Sequence, residues 1–368
     1  AVVFRSRVCR TTPSTSGFDQ TAVSQCLGDV DVFPATITLA LPSKGAIADP
    51  TLNFLRDCGL RVEKPNQRQY TGNIPAIPAM NVLFQRVNDV LYKVADGTVQ
   101  IGITGLDIVQ EHPHQDVLVV HEGLGYGHCS LVVAVPETWV DVDAMLDLAD
   151  VAFDFREHQQ RNLRVATKYP TLTRQFFYRH GLHHFTLVNA EGAIEAAPTL
   201  GYADIIVDVT QTGTTLRENH LKVLADGVIT EAQACLIGNR RQMQQNPAVL
   251  NSLRLMLEYI DGALIGRNYY QVTVNIQGED AESVAQKIWN NPITRGLQGP
   301  TIAPIYGSDT TNQGQWYTVT IIVSGKDLLP AVEYVRTVGG TQTIVTPVRY
   351  VFLERSPSYL RLLDNLKL

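Results

Sequence analysis

The sequence predicts an α/β fold built from two lobes, followed by a smaller α+β domain. At 368 residues the chain is longer than one hydrophobic core usually serves, so two or three domains are expected. Short apolar runs alternate with helical segments up to about residue 262, which is typical of α/β units with largely parallel sheets. Beyond residue 266 the order becomes strand, helix, strand, strand, helix, strand, the split βαβ arrangement of a ferredoxin-like domain.

The individual elements follow from β-branched runs bounded by Pro and Gly, and from apolar residues at helical spacing. In the two lobes the predicted strands cover residues 35–41, 99–104, 115–121, 129–135, 162–167, 184–188 and 204–209. The predicted helices there cover residues 50–58, 87–95, 141–148, 172–180 and 216–224. In the last domain we expect strands at 270–278, 300–306, 316–325 and 342–353, with helices at 281–289 and 327–336.

These elements cluster into domains. We expect a first lobe of residues 35–128 and a second of 129–220, with 221–262 forming helices that return to the first lobe. Residues 267–368 form the α+β domain. Because open α/β sheets bind ligands beyond the carboxyl ends of their strands, the expected site is the cleft between the lobes.

Composition excludes several classes of function. The net charge is -6, with acids and bases spread along the chain, so no basic surface is available for a nucleic acid. No run approaches the roughly 18 apolar residues of a membrane span, so we expect a soluble protein. The five cysteines are scattered and form no C-x-x-C pair, which is typical of reduced thiols in an intracellular protein.

The first 34 residues differ from the rest of the chain. Arg5, Arg7 and Arg10 lie among Ser and Thr, and no acidic residue precedes Asp19. This composition fits a remnant of an organelle transit peptide and a variable extension equally well.

Residues 195–216, EAAPTLGYADIIVDVTQTGTTL, are the segment that most strongly indicates chemistry. An apolar strand ends near Asp208, and a loop rich in Thr and Gly then leads to a helix start, where unpaired backbone N–H groups bind a phosphate. The candidate phosphate ligands are Thr210, Thr212, Gly213, Thr214 and Thr215. The carboxylate of Asp208 suits a sugar diol or a magnesium ion instead. Taken alone, the loop also fits an ordinary hydroxyl-capped helix start.

The segment as a whole resembles the signature of the ATP phosphoribosyltransferases. The matching positions are Glu195, Gly201, Ala203, Ile206, Asp208, Val209, Thr212, Gly213, Thr215 and Leu216. Segments at 39–45, 68–70, 84–90, 101–107, 166–170 and 339–352 look similar too. The resemblance covers about residues 36–368 and is closest to the long, plant-like branch of that family.

The resemblance implies a bilobed catalytic unit like a periplasmic binding protein and a carboxyl-terminal ACT-like regulatory domain. It implies transfer of the 5-phosphoribosyl group of phosphoribosyl pyrophosphate to N1 of ATP, with Mg²⁺, as the first step of histidine biosynthesis. Feedback inhibition by histidine and a homo-hexamer in equilibrium with a dimer are implied as well. The implied compartment is the chloroplast for a plant or algal source and the cytoplasm for a bacterial one.

The same resemblance assigns roles to residues. Asp208 and Glu195 are the expected catalytic residues, with Asp208 on the ribose hydroxyls and Glu195 on the ribose or Mg²⁺. The 210–215 loop binds the 5-phosphate. The remaining candidates are Lys44 and Arg86 for the pyrophosphate or ATP phosphates, Gly102, Thr104 and Gly105 for the cleft floor, and Thr301 for an effector pocket.

Three departures from the family pattern stand out. Ala46 occupies a position where many relatives carry arginine, residues 89–92 read DVLY where Asp-Ile-Pro is usual, and Gln100 replaces an acid. One alternative is a nucleobase phosphoribosyltransferase, although its loop generally begins with two consecutive acids and Asp208 stands between two valines. The other alternative is a non-catalytic ligand-sensing protein of the same fold. The only support for it is Ala46, which stands where many relatives carry arginine.

Overall fold

The computed structural model describes residues 37–66, 69–190, 192–306 and 315–368. The extension of residues 1–34 and Arg68 lie outside the described residues. The strands are β1 (Ile37–Pro42), β2 (Thr71–Asn73), β3 (Met80–Gln85), β4 (Ile101–Gly105), β5 (Val117–His121), β6 (Cys129–Pro136), β7 (Leu163–Thr167), β8 (Phe185–Asn189), β9 (Ile205–Thr210), β10 (Leu221–Ala232), β11 (Ala234–Asn239), β12 (Tyr269–Gly278), β13 (Thr301–Pro304), β14 (Gln315–Ser324) and β15 (Thr341–Pro347). The helices are α1 (Ala48–Asp57), α2 (Val87–Ala95), α3 (Leu106–Glu111), α4 (Met145–His158), α5 (Pro170–Arg179), α6 (Ala197–Leu200), α7 (Thr214–Glu218), α8 (Arg240–Gln245), α9 (Pro247–Gly266), α10 (Ala281–Trp289), α11 (Leu328–Thr337) and α12 (Pro357–Leu366).

The first lobe is a six-stranded sheet of order β2-β3-β1-β4-β11-β5. Strands β3, β1 and β4 are parallel neighbours, whereas β11 runs antiparallel to both β4 and β5. Because side chains alternate along a strand, Leu39 and Leu41 of β1 pack under α1 and α9, while Ala40 faces α2 on the other side. Both faces are therefore buried, which explains the continuous apolar run in β1.

The second lobe is a five-stranded sheet of order β10-β6-β9-β7-β8. Strands β7, β8 and β9 are parallel, and β6 and β10 are antiparallel additions at one side. Helices α4 and α5 cover one face, and α6 and α7 cover the other. The α/β prediction is confirmed for both lobes, but each sheet is mixed rather than largely parallel.

The third sheet has the order β13-β14-β12-β15, and all its strands are antiparallel. Helices α10 and α11 pack on one face against a core that includes Val274, Val319 and Val335. The sequence of elements is strand, helix, strand, strand, helix, strand. The ferredoxin-like prediction for this domain is therefore confirmed.

The prediction that residues 221–262 are helices of the first lobe is wrong for its first part. Strand β10 joins the second sheet, β11 joins the first, and helix begins again only at Arg240. The predicted helix at 216–224 is replaced by the short α7 and the start of β10, with a positive φ of 56° at His220 between them. The composition of LKVLADGVITEA suits a helix, but pairing with β6 decides its conformation.

The carboxyl-terminal boundary also differs from the prediction of a domain spanning 267–368. The third sheet ends with β15, and the chain then returns to the first lobe, where α12 packs against α9. Leu362 and Leu366 are buried in the first lobe's core, because α12 presents an apolar stripe that the small domain leaves uncovered. Residues 348–368 are therefore part of the first lobe, and the predicted strand at 342–353 ends at Pro347.

The chain crosses between the two lobes twice. The first crossing joins β5 to β6, and the second joins β10 to β11 through Gln233 alone. Gln233 is held on both sides, because its carbonyl accepts from the Leu106 amide at 2.9 Å and its side chain accepts from the Gly125 amide at 2.9 Å. In the described part of the chain, no helix has the length and apolar character needed to cross a membrane.

Candidate active site

Two cations lie together at the carboxyl-terminal edge of the first sheet. Lys44 follows β1 and Arg86 follows β3, and these strands are parallel neighbours with Pro42 opposite Gln85. The Ser43 amide donates to the Gln85 carbonyl at 2.6 Å, which ties the two loops together. Both cationic side chains are exposed, and within the described residues neither has a hydrogen bond or ion pair. They are free to bind an anion.

The 210–215 loop follows β9 at the corresponding edge of the second sheet. The Gly213 amide donates to the hydroxyl of Thr210 at 2.9 Å, and the hydroxyls of Thr212 and Thr214 lie 2.9 Å apart. Gly213 has a φ of +73°, and a Cβ built there would meet nothing within 4 Å. Glycine is therefore required here by the backbone conformation rather than by crowding.

The loop also leaves donors exposed. Among the described residues, the backbone N–H groups of Gln211, Thr212 and Thr215 have no acceptor. The side chains of Thr212, Thr214 and Thr215 are exposed. N–H groups and hydroxyls that converge on one open loop are the donor set that a phosphate monoester requires.

Two carboxylates lie next to this loop. Burial raises the pKa of Asp208, although the Val209 amide and Lys168 favour its ionised form, and the charge of Glu195 raises the pKa further. Glu195 lies in a short 3-10 turn of Ile194–Ala196 and accepts no hydrogen bond from the described residues. Lys168 and Glu195 both lie close enough to Asp208 to change its pKa, in opposite directions.

A hydrogen bond between the lobes shows that the two edges face each other. The hydroxyl of Tyr169 donates to Asp107 Oδ2 at 2.6 Å, and both residues are buried. Asp107 lies in α3, directly after β4 of the first sheet, and Tyr169 follows β7 of the second. Because both follow the carboxyl ends of parallel strands, the loops carrying Lys44, Arg86, Asp208 and the 210–215 segment open onto one cleft.

Three residues predicted to shape the cleft floor are buried in packing contacts. Gly102 is buried where a Cβ would lie 2.5 Å from Val90, so it lets α2 approach β4. Thr104 is fully buried, and its hydroxyl donates to the Val87 carbonyl at 3.0 Å. Gly105 is buried at the start of α3 against Asp107. These contacts give the three residues a packing role, and their part in shaping the cleft floor stays a prediction.

The departures from the family pattern fall in different places. Gln100 lies at the opposite edge of the sheet, where its side-chain oxygen accepts from the Thr38 amide at 2.8 Å, so it does not affect the cleft. Val90 and Leu91 of the DVLY segment belong to α2 and are buried on the side of that helix that packs against the first sheet. Ala46 is exposed two residues after Lys44, so it alone lies beside the site.

Thr301, the predicted effector residue, is exposed at the first position of β13, after a turn in which Gly296 and Gly299 have positive φ. As for metals, no group of three or more His, Cys, Asp or Glu side chains among the described residues could hold an ion.

Sequence reasoning missed four residues that the structure places at the junction of the lobes. They are Asp107, Glu111, Lys168 and Tyr169. Lys168 and Tyr169 follow the predicted strand at 162–167. Their position at the carboxyl end of a strand could have identified them as site candidates. The other two lie in α3, a helix that was not predicted.

Two family models match consecutive parts of the chain. The model described as ATP phosphoribosyltransferase matches residues 86–260, and the model described as HisG, C-terminal domain, matches residues 266–350. The first model covers both lobes from Arg86 onward, and the second covers the antiparallel sheet domain.

Relatives and solved structures were found as well. ATP phosphoribosyltransferase 2, chloroplastic, of Arabidopsis thaliana is 39% identical over 337 residues, which are 90% of this chain and 81% of the relative. ATP phosphoribosyltransferase of Chelativorans sp. is 46% identical over 219 residues, 58% of this chain and 95% of the relative. The ATP phosphoribosyl transferase (HisG:HisZ) complex from Thermotoga maritima is similar with a TM-score of 0.47 and 23% identity, covering 61% of this chain and 98% of that one. That TM-score carries no conclusion. The family models and the extent of the match to the plant relative establish that the chain belongs to the ATP phosphoribosyltransferase family.

Proposed function

We propose that the cleft transfers the 5-phosphoribosyl group of phosphoribosyl pyrophosphate to N1 of ATP and releases pyrophosphate, the first step of histidine biosynthesis. The assignment of substrate-binding residues depends on the hydrogen bond from Tyr169 to Asp107. This bond brings the carboxyl-terminal edges of the first and second sheets face to face. One edge offers the open donor loop at 210–215, and the other offers Lys44 and Arg86. A substrate with a phosphate at one end and a pyrophosphate at the other would use both groups of donors.

The 210–215 loop binds the 5-phosphate through its free N–H groups and hydroxyls, since phosphate oxygens accept from both kinds of donor. Asp208, beside the loop, accepts hydrogen bonds from the two ribose hydroxyls. Lys44 and Arg86 bind the pyrophosphate or the ATP phosphates from the other lobe. Each group thus contacts a different part of the substrates.

The reaction is a displacement at the anomeric carbon. N1 of the adenine forms the new bond to this carbon as the bond to the pyrophosphate oxygen breaks, and positive charge develops on the sugar as in glycoside hydrolysis. The protein contributes by holding the two reactants in line and by binding the leaving group. Lys44 and Arg86 stabilise the charge that the pyrophosphate gains as it departs.

Mg²⁺ fits this site as a cation carried by the substrate. It usually keeps several waters and is bound through one or two carboxylates together with substrate phosphates. Glu195 is a partly exposed carboxylate with no hydrogen bond from the described residues, and it lies near Asp208, so we assign it to the metal or the ribose. When bound, the ion supplies positive charge to the pyrophosphate.

The small domain is proposed to sense histidine and to join copies of the chain. It is the part that matches the C-terminal family model, and Thr301 marks one edge strand of its sheet. The other edge strand, β15, is almost entirely exposed, and its Ile344 is 62% exposed. An exposed apolar edge strand favours pairing with a second copy, which supports the proposed homo-hexamer in equilibrium with a dimer.

The compartment is proposed to be the chloroplast. The two plant relatives carry chloroplastic in their names, and the first 34 residues have the Arg, Ser and Thr composition of a transit peptide. Fractionation of the source cells, with an antibody raised against residues 36–368, tests this. Recovery of the protein in the cytosolic fraction alone would contradict the proposal.

The function is tested by mixing the purified protein with ATP, phosphoribosyl pyrophosphate, Mg²⁺ and pyrophosphatase. The formation of phosphoribosyl-ATP is then measured by its absorbance. We expect product that depends on Mg²⁺ and is suppressed by histidine. Product formation that histidine does not suppress would contradict the proposal that the small domain senses histidine, but it would support the proposed enzyme activity. Absence of product despite measured binding of both substrates would contradict catalysis and favour the ligand-sensing alternative. The nucleobase alternative is tested in the same assay with free adenine in place of ATP.

A further inference from the structure

The junction between the lobes is built from two buried carboxylates of α3. Asp107 is 8% exposed and Glu111 is 1% exposed, and both reach from the first lobe to residues of the second. Asp107 accepts from the Tyr169 hydroxyl, as described above. Glu111 accepts from the amides of Thr171 and Leu172 at 2.7 and 2.9 Å. A buried carboxylate is costly unless it is hydrogen-bonded, so these contacts favour one arrangement of the two lobes.

The partner of Glu111 is the first turn of α5. This helix begins with Pro170, which has no N–H, and the next two amides both donate to the Glu111 carboxylate. These are the groups with which a helix amino terminus binds an anion. A protein carboxylate already occupies these amides, so they are not free to bind a phosphate.

The same turn fixes the residue that precedes it. The Tyr169 amide donates to the hydroxyl of Thr167 at 2.9 Å, so the chain on either side of Lys168 is held in place. Thr167 pairs with Val207 of the neighbouring parallel strand β9, so Lys168 and Asp208 are the next residues on adjacent strands. The side chain of Lys168 is exposed, and its charge lowers the pKa of Asp208. Burial and the Asp107 carboxylate raise the pKa of Tyr169, so its hydroxyl stays a neutral donor at the pH at which enzymes work.

We propose that Asp107, Glu111 and Tyr169 are positioning residues of the transfer reaction. The two carboxylates of the first lobe act through Tyr169 and the first turn of α5 to hold Lys168 beside Asp208 in the cleft. Lys168 is the substrate-facing member of this group. Its exposed ammonium group binds a phosphate or pyrophosphate oxygen of the substrate. The inference rests on the proposed function, because it assigns the group to the substrate of that reaction.

The decisive experiment is a double-mutant cycle between Tyr169→Phe and Lys168→Met. Tyr169→Phe keeps the buried ring and removes only the hydroxyl that reaches Asp107. If Tyr169 acts through Lys168, each single variant should lower kcat/KM for phosphoribosyl pyrophosphate about tenfold or more, and the double variant should be no worse than Lys168→Met alone. The acid limb of the pH profile of kcat/KM should move to higher pH in both single variants, because the cation near Asp208 is lost or displaced.

The control is Tyr126→Phe, which removes the hydroxyl of a partly buried tyrosine, bonded to Thr51 at 2.9 Å within the first lobe. It should lower the melting temperature, although less than Tyr169→Phe because no buried carboxylate loses a donor, and it should leave kcat/KM and the pH profile unchanged. Glu111→Gln, which keeps one acceptor oxygen, should retain more activity than Glu111→Ala.

Additive effects of Tyr169→Phe and Lys168→Met, or a pH profile unmoved by Tyr169→Phe, would overturn the proposal and leave the contacts as ordinary packing. The affinity of the wild type, both single variants and the double variant for phosphoribosyl pyrophosphate is also measured by calorimetry, which gives a second double-mutant cycle. A wild-type protein without turnover would contradict the proposed function, whereas the binding cycle would still decide the positioning role.

Discussion

The amide of Ser43 donates a 2.6 Å hydrogen bond to the carbonyl of Gln85. This contact joins the loops after two parallel strands, so that Lys44 and Arg86 extend from one edge of the first sheet. Their separation in the sequence is large, but strand pairing brings them together. The first sheet therefore presents a pair of unpaired cations to whatever anion enters the cleft.

Replacement of either cation with alanine should weaken binding of the pyrophosphate or ATP phosphates. A hydrogen bond to a charged group contributes about 1.5–3 kcal/mol, so kcat/KM should fall by about 10- to 100-fold for Lys44→Ala and for Arg86→Ala. Steady-state kinetics with each substrate varied in turn measures this change. Lys93→Ala, at the far end of α2, is the matched control and should leave kcat/KM unchanged; equal losses at all three positions would contradict the assignment.

Gly213→Ala should impair binding of phosphoribosyl pyrophosphate without creating a steric clash. The substitution places a Cβ on a residue with a φ of +73° and open space around it, which costs about 1–2 kcal/mol in conformational energy. Gly181 has the same φ of +73° and the same open surroundings at the far end of α5. Thermal unfolding should show similar losses for Gly213→Ala and Gly181→Ala. Only Gly213→Ala should raise KM for phosphoribosyl pyrophosphate, by about tenfold; a matching rise in Gly181→Ala would mean that the loop is not the phosphate site.

The activity should fall on the acid side at a pH above that of a free aspartate. Asp208 must be ionised to accept from the ribose hydroxyls, and burial raises its pKa above the ordinary value of 3.8. Glu195→Gln removes a negative neighbour and should move the acid limb to lower pH, whatever it does to the maximal rate. Profiles of log kcat/KM between pH 4.5 and 9, together with an Asp208→Asn variant that should lack this limb, measure the effect. A limb that does not move in Glu195→Gln would exclude Asp208 as the titrating group.

The return of residues 348–368 to the first lobe depends on Asp261. Burial alone would raise its pKa, but hydrogen bonds from His121, Ser356 and Ser358 lower the pKa of Asp261 to about 2, from 3.8. That difference corresponds to on the order of 2 kcal/mol of stability in the ionised form. Because the folded pKa is depressed, the contribution is present above about pH 4 and is lost as the pH falls through about 2.

Asp261→Asn should therefore lower the free energy of unfolding by about 2 kcal/mol at pH 7. Urea unfolding at a series of pH values measures the difference from wild type, which should shrink below about pH 4. Asp364→Asn, on the exposed side of α12, is the control and should have little effect. A constant deficit down to pH 2.5 would show that the loss comes from packing rather than from the charge.

The parts of the fold that the sequence predicted are those with a strong local signal. The strand at 204–209 and the loop after it have the apolar run, carboxylate, hydroxyls and glycine that their conformation requires within a few residues. The ferredoxin-like domain was also predictable, because its alternating strands and amphipathic helices follow one another without interruption. The residues of the 210–215 loop and Asp208 were proposed from the same local pattern, whereas Glu195 was proposed from the resemblance to the family.

The parts that failed depend on partners far away in the chain. Strand β10 is a strand because β6 lies beside it, although its own composition suits a helix. Residues 348–368 belong to the first lobe because Asp261 and α9 receive them. The packing role of Gly102 was not predictable either, because it depends on the approach of α2.

The sequence by itself determined the family, the α/β class, the form of the last domain and the segment proposed to bind a phosphate, because each of these depends on residues that are close together in the chain. Only the tertiary structure decided which lobe holds β10 and the carboxyl-terminal helix, and which carboxylates join the lobes. Hydrogen bonds such as Tyr169 to Asp107 span 62 positions. Their free energy depends on burial and exact partners that arise only when the two sheets are assembled.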